Sequence, residues 1–119
     1  MLDHVGLQVS DVPQSKAFYE KALAPLGYKA LMDFGEAVGF GIERPDFWIH
    51  AGGDKGATHV AFAAESRNVV EAFHEAALAA GGSDNGGPGL REIYHPTYYG
   101  AFVFDPDGNN IEAVTHVSE

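Results

Sequence analysis

The chain has 119 residues, 45% of them hydrophobic, with 17 acidic side chains against 7 basic ones. That length holds one compact domain, or two small modules sharing a core, and has no room for two independent domains. A formal charge of −10 argues against nucleic acid or a membrane as partner, because both bind through excess Lys and Arg, and the lack of cysteine excludes disulfides, a thiolate nucleophile and a sulfur-ligated metal.

The opening Met1-Leu2-Asp3-His4-Val5 has neither the basic nor the apolar region of a signal peptide, and the small apolar run Ala76 to Ala80 is too short for a bilayer. A soluble cytoplasmic protein is therefore expected. The first strand covers His4 to Val9, with Val5, Leu7 and Val9 on one face and His4, Gly6 and Gln8 on the other. Ser10-Asp11-Val12-Pro13 caps a helix whose buried stripe is Phe18, Ala22 and Leu26, ending near Gly27. Strands follow at Tyr28 to Asp33, Ala37 to Ile42 and Phe47 to Ala51.

The same order then recurs. Sliding the chain so that His4-Val5 falls on His59-Val60 also lays Ala17-Phe18 on Ala72-Phe73, Glu20 on Glu75, Ala22-Leu23 on Ala77-Leu78 and Gly27 on Gly82. A second strand-helix unit opens at His59, with Ser66 as cap and Val70, Phe73, Ala77 and Ala80 inward. Gly81 to Pro96, rich in glycine, reads as a lid-like loop with a short strand near Leu90 to Tyr94. Tyr99 to Phe104 and Asn110 to His116 form a hairpin closed by Asp105-Pro106-Asp107-Gly108, where Asp starts the turn, Pro presets φ and Gly closes it. The fold class is thus α+β: a single domain over 1–119 made of two tandem βαβββ modules, about 1–53 and about 57–119.

Each module has one bulky face for the helices and one face of small residues headed by a histidine. Chemistry is sought on the second. Strand alternation puts Glu112 on the face of His59, and the repeat pairs His50 with Glu112 as the last-strand partner of His4. A lone strand histidine is more often structural, but four N and O donors at repeat-equivalent places suit a first-row divalent metal. His4, His59 and Glu112 are the expected ligands; for His50, ligation and a supporting or solvent-facing role both stay open. His95, between the glycine-rich loop and two tyrosines, is a candidate acid/base group or an ordinary loop histidine. His74 reads as a solvated helix residue, and Arg67 and Arg91 as anion contacts or surface ion pairs.

The segments Asp3-His4-Val5-Gly6-Leu7, Ser15-Lys16-Ala17-Phe18-Tyr19, Thr58-His59-Val60-Ala61-Phe62 and Phe104-Asp105-Pro106-Asp107-Gly108-Asn109-Asn110-Ile111-Glu112 resemble the vicinal oxygen chelate superfamily. This is the glyoxalase/bleomycin resistance/dioxygenase family. The resemblance implies the paired-module glyoxalase/bleomycin resistance/dihydroxybiphenyl dioxygenase fold with a U-shaped, metal-holding cavity. It implies ligands His4, His59 and Glu112, one divalent ion (Zn, Ni, Co, Mn or Fe) per site, a small-molecule substrate and a homodimer, with the site built within one chain or across two. Glyoxalase I members commonly place a fourth ligand, Glu, on the last strand of the first module, where this chain has His50; fosfomycin-resistance members carry a hydroxyl residue at the position of Gly6.

The leading expectation is a lyase or isomerase of the glyoxalase type. Two neighbouring substrate oxygens would be bound, an enediolate stabilised, and the proton moved by Glu112 or a nearby group, with His95 and Tyr99 as further catalytic candidates. A ring-cleaving extradiol dioxygenase with His95 and Tyr98 or Tyr99 as acid/base partners is the first alternative. A non-catalytic protein that sequesters a small aromatic compound is the second.

Overall fold

The structure, a computed structural model, describes residues 1–54 and 56–119. β1 (Val5–Gln8) leads into α1 (Val12–Ala22), capped by Asp11, whose carboxylate accepts the Gln14 N–H at 3.0 Å. The helix stops before Gly27 because Pro25 lacks the N–H that another turn needs. A 3-10 turn at Ala24–Leu26 takes its place, and Gly27, at φ +87°, reverses the chain. β2 (Lys29–Asp33), β3 (Ala37–Gly41) and β4 (Pro45–His50) complete a sheet of order β1-β4-β3-β2, with β1 parallel to β4.

The second module repeats this plan. β5 (His59–Ala63) is followed by α2 (Arg67–Ala79), whose cap Ser66 accepts the Val69 N–H at 3.3 Å. β8 (Tyr99–Phe104) and β9 (Asn110–Thr115) pair antiparallel, and β5 runs parallel to β9. The glycine-rich segment is not a free loop. It lays two short strands, β6 (Ser83–Asp84) and β7 (Gly89–Leu90), along β8, so the order β5-β9-β8-β6 mirrors the first sheet. The short strand expected at Leu90 to Tyr94 ends at Leu90, because Arg91 to Tyr98 folds into turns: the Tyr94 N–H reaches the Arg91 carbonyl at 2.9 Å and the Tyr98 N–H that of His95 at 3.0 Å. His74 is likewise not simply solvated, since its Nε2 lies 2.8 Å from Asp84 Oδ1.

The bulky strand faces meet the helices in one core. Leu7, Phe40, Phe47 and Ile49 from the first module, and Phe62, Phe73, Val103 and Ile111 from the second, are buried with Phe18 and Tyr19 of α1. Each such side chain contributes about 1.5–3 kcal/mol on burial. Phe62 stands edge-on to Phe47 at 5.2 Å and to Tyr28 at 5.5 Å, which joins the modules across their apolar sides.

A polar clasp reinforces that joint. In the turn between β8 and β9, Asp105 Oδ1 accepts the N–H of Asp107 at 2.9 Å and of Asn109 at 2.8 Å, while its Oδ2 accepts the Tyr19 hydroxyl. Asp107 accepts both the Ser10 N–H, at 3.0 Å, and the Ser10 hydroxyl. Both carboxylates are buried, so each is held by several donors, as a charge away from water requires. The Asp-Pro-Asp-Gly turn therefore does more than close a hairpin: it locks the second module onto α1 of the first and onto Ser10 in the turn before it.

Candidate functional site

With the bulky faces committed to the core, the other face of each sheet is left open. On the first it carries Gly6, Gln8, Trp48 and His50, with His4 just ahead of β1; on the second, His59, Ala61, Gly100, Phe102 and Glu112. Glu112 lies in the middle of β9 opposite Ala61 and Phe102 and is 1% exposed. A buried carboxylate needs partners, and it has them. His59 Nε2 is 3.0 Å from Oε1, and the Tyr98 hydroxyl donates to Oε2. Burial first, and then the bond to Glu112, push the Tyr98 phenol up to about 12, so at neutral pH it stays a donor.

His59 Nδ1 faces the Asn110 carbonyl at 3.1 Å. A carbonyl and a carboxylate are both acceptors, so filling both bonds takes a proton on each ring nitrogen. A cation at Nε2 would satisfy the same neighbours with a neutral imidazole. Metal-binding histidines typically donate their other N–H to a backbone carbonyl, as His59 is placed to do. His59 and Glu112 thus fit two corners of a divalent ion's nitrogen-and-oxygen shell. They border a cleft of about 420 Å³ whose other walls are Tyr94, Tyr98, Phe102 and Asn110. The imidazole of His59 lies nearly parallel to the Phe102 ring, 20° off, at 6.3 Å.

The remaining expected residues are placed elsewhere. His4 is 57% exposed at the start of β1, with Nδ1 2.8 Å from Asp3 Oδ1. Asp3 in turn pairs with Arg44 at 2.9 Å; the His4 hydrogen bond, and then the guanidinium, hold its carboxyl below the usual carboxylate range. His50 lies over Gly6 on the open face of the first sheet, where a Cβ on Gly6 would come within 2.9 Å of His50 Nε2. Among the described residues, no group of three or more His, Asp or Glu side chains is gathered to hold a metal ion within one chain.

The registers also correct the repeat equivalence drawn for His50. Gly6 pairs with Trp48 and Ala61 with Glu112, so Trp48, not His50, occupies the place that Glu112 has in the second module. His50 shares its face but sits one pleat further along. The rings of Phe34, Trp48 and His50 lie in near-parallel order across this face, 4° and 19° apart.

Tyr99 points away from the cleft. Its hydroxyl donates to Glu71 Oε2 at 2.6 Å and Arg67 covers its ring at 4.9 Å, both on the α2 side. The cause is strand phase: residues 98, 100 and 102 alternate onto the open face, and 99, 101 and 103 onto the core. Tyr98, the neighbour, is therefore the tyrosine that meets Glu112, a role the alternation of β8 could have assigned. His95 accepts the Thr97 N–H at Nδ1, 3.2 Å away, and packs against His116 at 5.8 Å, behind Tyr98 rather than on Glu112. Arg91 lies over Phe102 and donates to the carbonyls of Gly87 and Gly89 at 2.8 and 2.9 Å, holding the rim of the cleft together.

The comparisons agree with this architecture. The model of the Glyoxalase/Bleomycin resistance protein/Dioxygenase superfamily matches residues 1–113. A glyoxalase/bleomycin resistance protein from Albidiferax ferrireducens T118 is 31% identical, with a TM-score of 0.83 over 97% of this chain and 98% of that one. An integron cassette protein from Vibrio cholerae is 25% identical, with a TM-score of 0.73 over 98% and 95% of the two chains. A glyoxalase/bleomycin resistance protein/dioxygenase family enzyme from Burkholderia phytofirmans PsJN shares the fold at 18% identity and a TM-score of 0.76, over 97% and 98%. None of the curated proteins matches the chain. Duplicated modules, an open sheet face with a paired His and Glu, and a family match over nearly the whole length lead to one statement: this chain belongs to the glyoxalase/bleomycin resistance protein/dioxygenase superfamily.

Proposed function

We propose that the protein is a divalent-metal-dependent lyase or isomerase of the glyoxalase type, with each site shared between two copies of the chain. The observation that carries this reading is the His59–Glu112 pair, whose second imidazole nitrogen faces the Asn110 carbonyl. The shared site is supported by the division of donors. His59 and Glu112 occupy the open face of one sheet, His50 lies on that of the other, and His4 stands exposed just ahead of β1 in the same module as His50. Among the described residues, β1 and β5 each end a sheet with strand pairing on one side alone, which leaves two edges beside the open faces for a second copy.

In this arrangement His59 and Glu112 would hold the ion together with His4 of the partner subunit, with His50 of the partner subunit as a candidate fourth donor. The ion would polarise two neighbouring substrate oxygens and offset the negative charge that develops when a proton leaves the adjacent carbon. Glu112 is the one carboxylate among the described residues that line the cleft; it would hold the ion through Oε1, the oxygen that faces His59, and would accept the substrate proton there on releasing the ion. Tyr94, Tyr98 and Phe102 shield this exchange from water and orient the substrate by contact with its apolar part.

Those three aromatic walls also favour a second reading, in which a ring-bearing ligand is bound and cleaved with dioxygen. Oxygen uptake by Fe(II)-loaded protein with catechols would support it. The test of the primary reading is metal analysis of protein purified without chelator, followed by turnover of 2-oxoaldehyde adducts with each candidate metal. Absence of stoichiometric metal from wild-type protein after loading would sink it.

A further inference from the structure

Tyr98 is built into its place with more constraint than a pocket wall needs. Its N–H donates to the His95 carbonyl at 3.0 Å and its carbonyl accepts the Arg91 N–H at 2.7 Å, so its backbone is fixed on both sides. Its ring packs edge-on against His116 at 5.3 Å and tilted against Tyr94 at 5.0 Å. Gly100 lies beneath: a Cβ there would come within 3.2 Å of Tyr98 Cε1 and 3.4 Å of Glu112 Oε2. The missing side chain leaves the path along which the phenol reaches the carboxylate. The hydroxyl at the end of this support donates to Oε2, while Oε1 is turned to His59.

We propose that Tyr98 is a positioning residue that keeps Oε2 of Glu112 engaged and so offers Oε1 alone to the cleft, which fixes how the carboxylate meets a divalent ion. This rests on the metal reading above. A carboxylate free to rotate can present either oxygen or both; one pinned at a single oxygen presents the other in one orientation. Partners of this kind, bonded to a ligand rather than to the ion, typically change metal affinity about 10- to 100-fold when removed.

The test compares the full-length wild-type protein with Tyr98→Phe and Glu112→Ala. Zn²⁺ affinity is read by competition with a chromophoric chelator, and ligand geometry by the visible spectrum of the Co²⁺-loaded proteins. Tyr98→Phe is expected to bind Zn²⁺ about 10- to 100-fold more weakly and to change the Co²⁺ bands, with an unchanged far-ultraviolet circular dichroism spectrum. If Tyr98→Phe keeps wild-type affinity and Co²⁺ spectrum while Glu112→Ala loses both, the role of Tyr98 is refuted and the metal reading stands. If wild type and Glu112→Ala bind Zn²⁺ equally, the metal reading fails and this proposal with it. Should Tyr98→Phe not fold, Tyr98→Leu takes its place, with the same loss expected and the same retention overturning the proposal.

Discussion

The two modules share strand order, the parallel pairing of first and last strand and helix placement, yet their open faces have diverged. At the position opposite Ala61 the second module buries Glu112 between His59 and Tyr98; at the position opposite Gly6 the first carries Trp48, flanked by Phe34 and His50. One face is polar and tightly bonded, the other aromatic and built over glycines, with Gly39 under Trp48 and Gly6 under His50. Duplication preserved what the core requires. It left the two faces free to take different work, one suited to hold a charge and the other to line a surface against it.

Replacing the group that defines the polar face should have the largest effect. Glu112→Ala is expected to abolish turnover and stoichiometric metal uptake, checked by elemental analysis and by activity of the reloaded protein. Unchanged stoichiometry would remove Glu112 from the ligand set and erase the contrast between the modules.

Next in size is the clasp that holds the modules in their relation. Asp105→Ala leaves the Tyr19 hydroxyl and the N–H groups of Asp107 and Asn109 without their shared acceptor. A loss of about 3–5 kcal/mol in unfolding free energy is expected from urea denaturation, because several buried donors lose a charged partner at once.

The same clasp gives an alkaline limit. Burial, followed by the charge of Asp105, raises the Tyr19 phenol well above its ordinary value. The folded state therefore keeps a proton that the unfolded chain begins to release near pH 10, so this contribution to stability is intact below that pH and is lost above it. Unfolding free energy should fall by up to about 1.4 kcal/mol per pH unit from this group, and Tyr19→Phe should flatten part of the decline.

The smallest effect belongs to the aromatic face. His50→Ala is expected to weaken Zn²⁺ binding by about tenfold at most, since His50 lies one pleat from the position equivalent to Glu112. A loss as large as that of Glu112→Ala would make the two faces equal contributors.

Much of this was legible in the sequence because it depends on local pattern. Alternation in the strand at Val5 and in that at Val60, the caps at Asp11 and Ser66, and the offset between His4 and His59 gave both modules and their inward faces. Alternation assigns a side of the sheet but not a register. Trp48 and His50 share one side of β4, and only the pairing of Gly6 with Trp48, as of Ala61 with Glu112, separates them. Tyr98 and Tyr99 are separable by phase, since 98 falls on the side of 100 and 102 and 99 on that of 101 and 103. The strands of the glycine-rich segment leave no trace in the sequence, because at two residues each they are too short for any period to show. Which donors meet across the molecule is set by packing of whole sheets, and no spacing along the chain encodes it.

The most direct test of a site shared between two chains is mixed re-pairing of two defective variants. His4→Ala and Glu112→Ala proteins are each assayed for bound Zn²⁺, then unfolded together, refolded and assayed again. Sites that draw His4 from one copy and Glu112 from the other predict little metal in either variant alone. Random pairing should then recover about a quarter of the wild-type content, because half of the dimers would contain one intact site of two. No recovery on mixing, with wild type regaining its metal under the same treatment, would contradict the account.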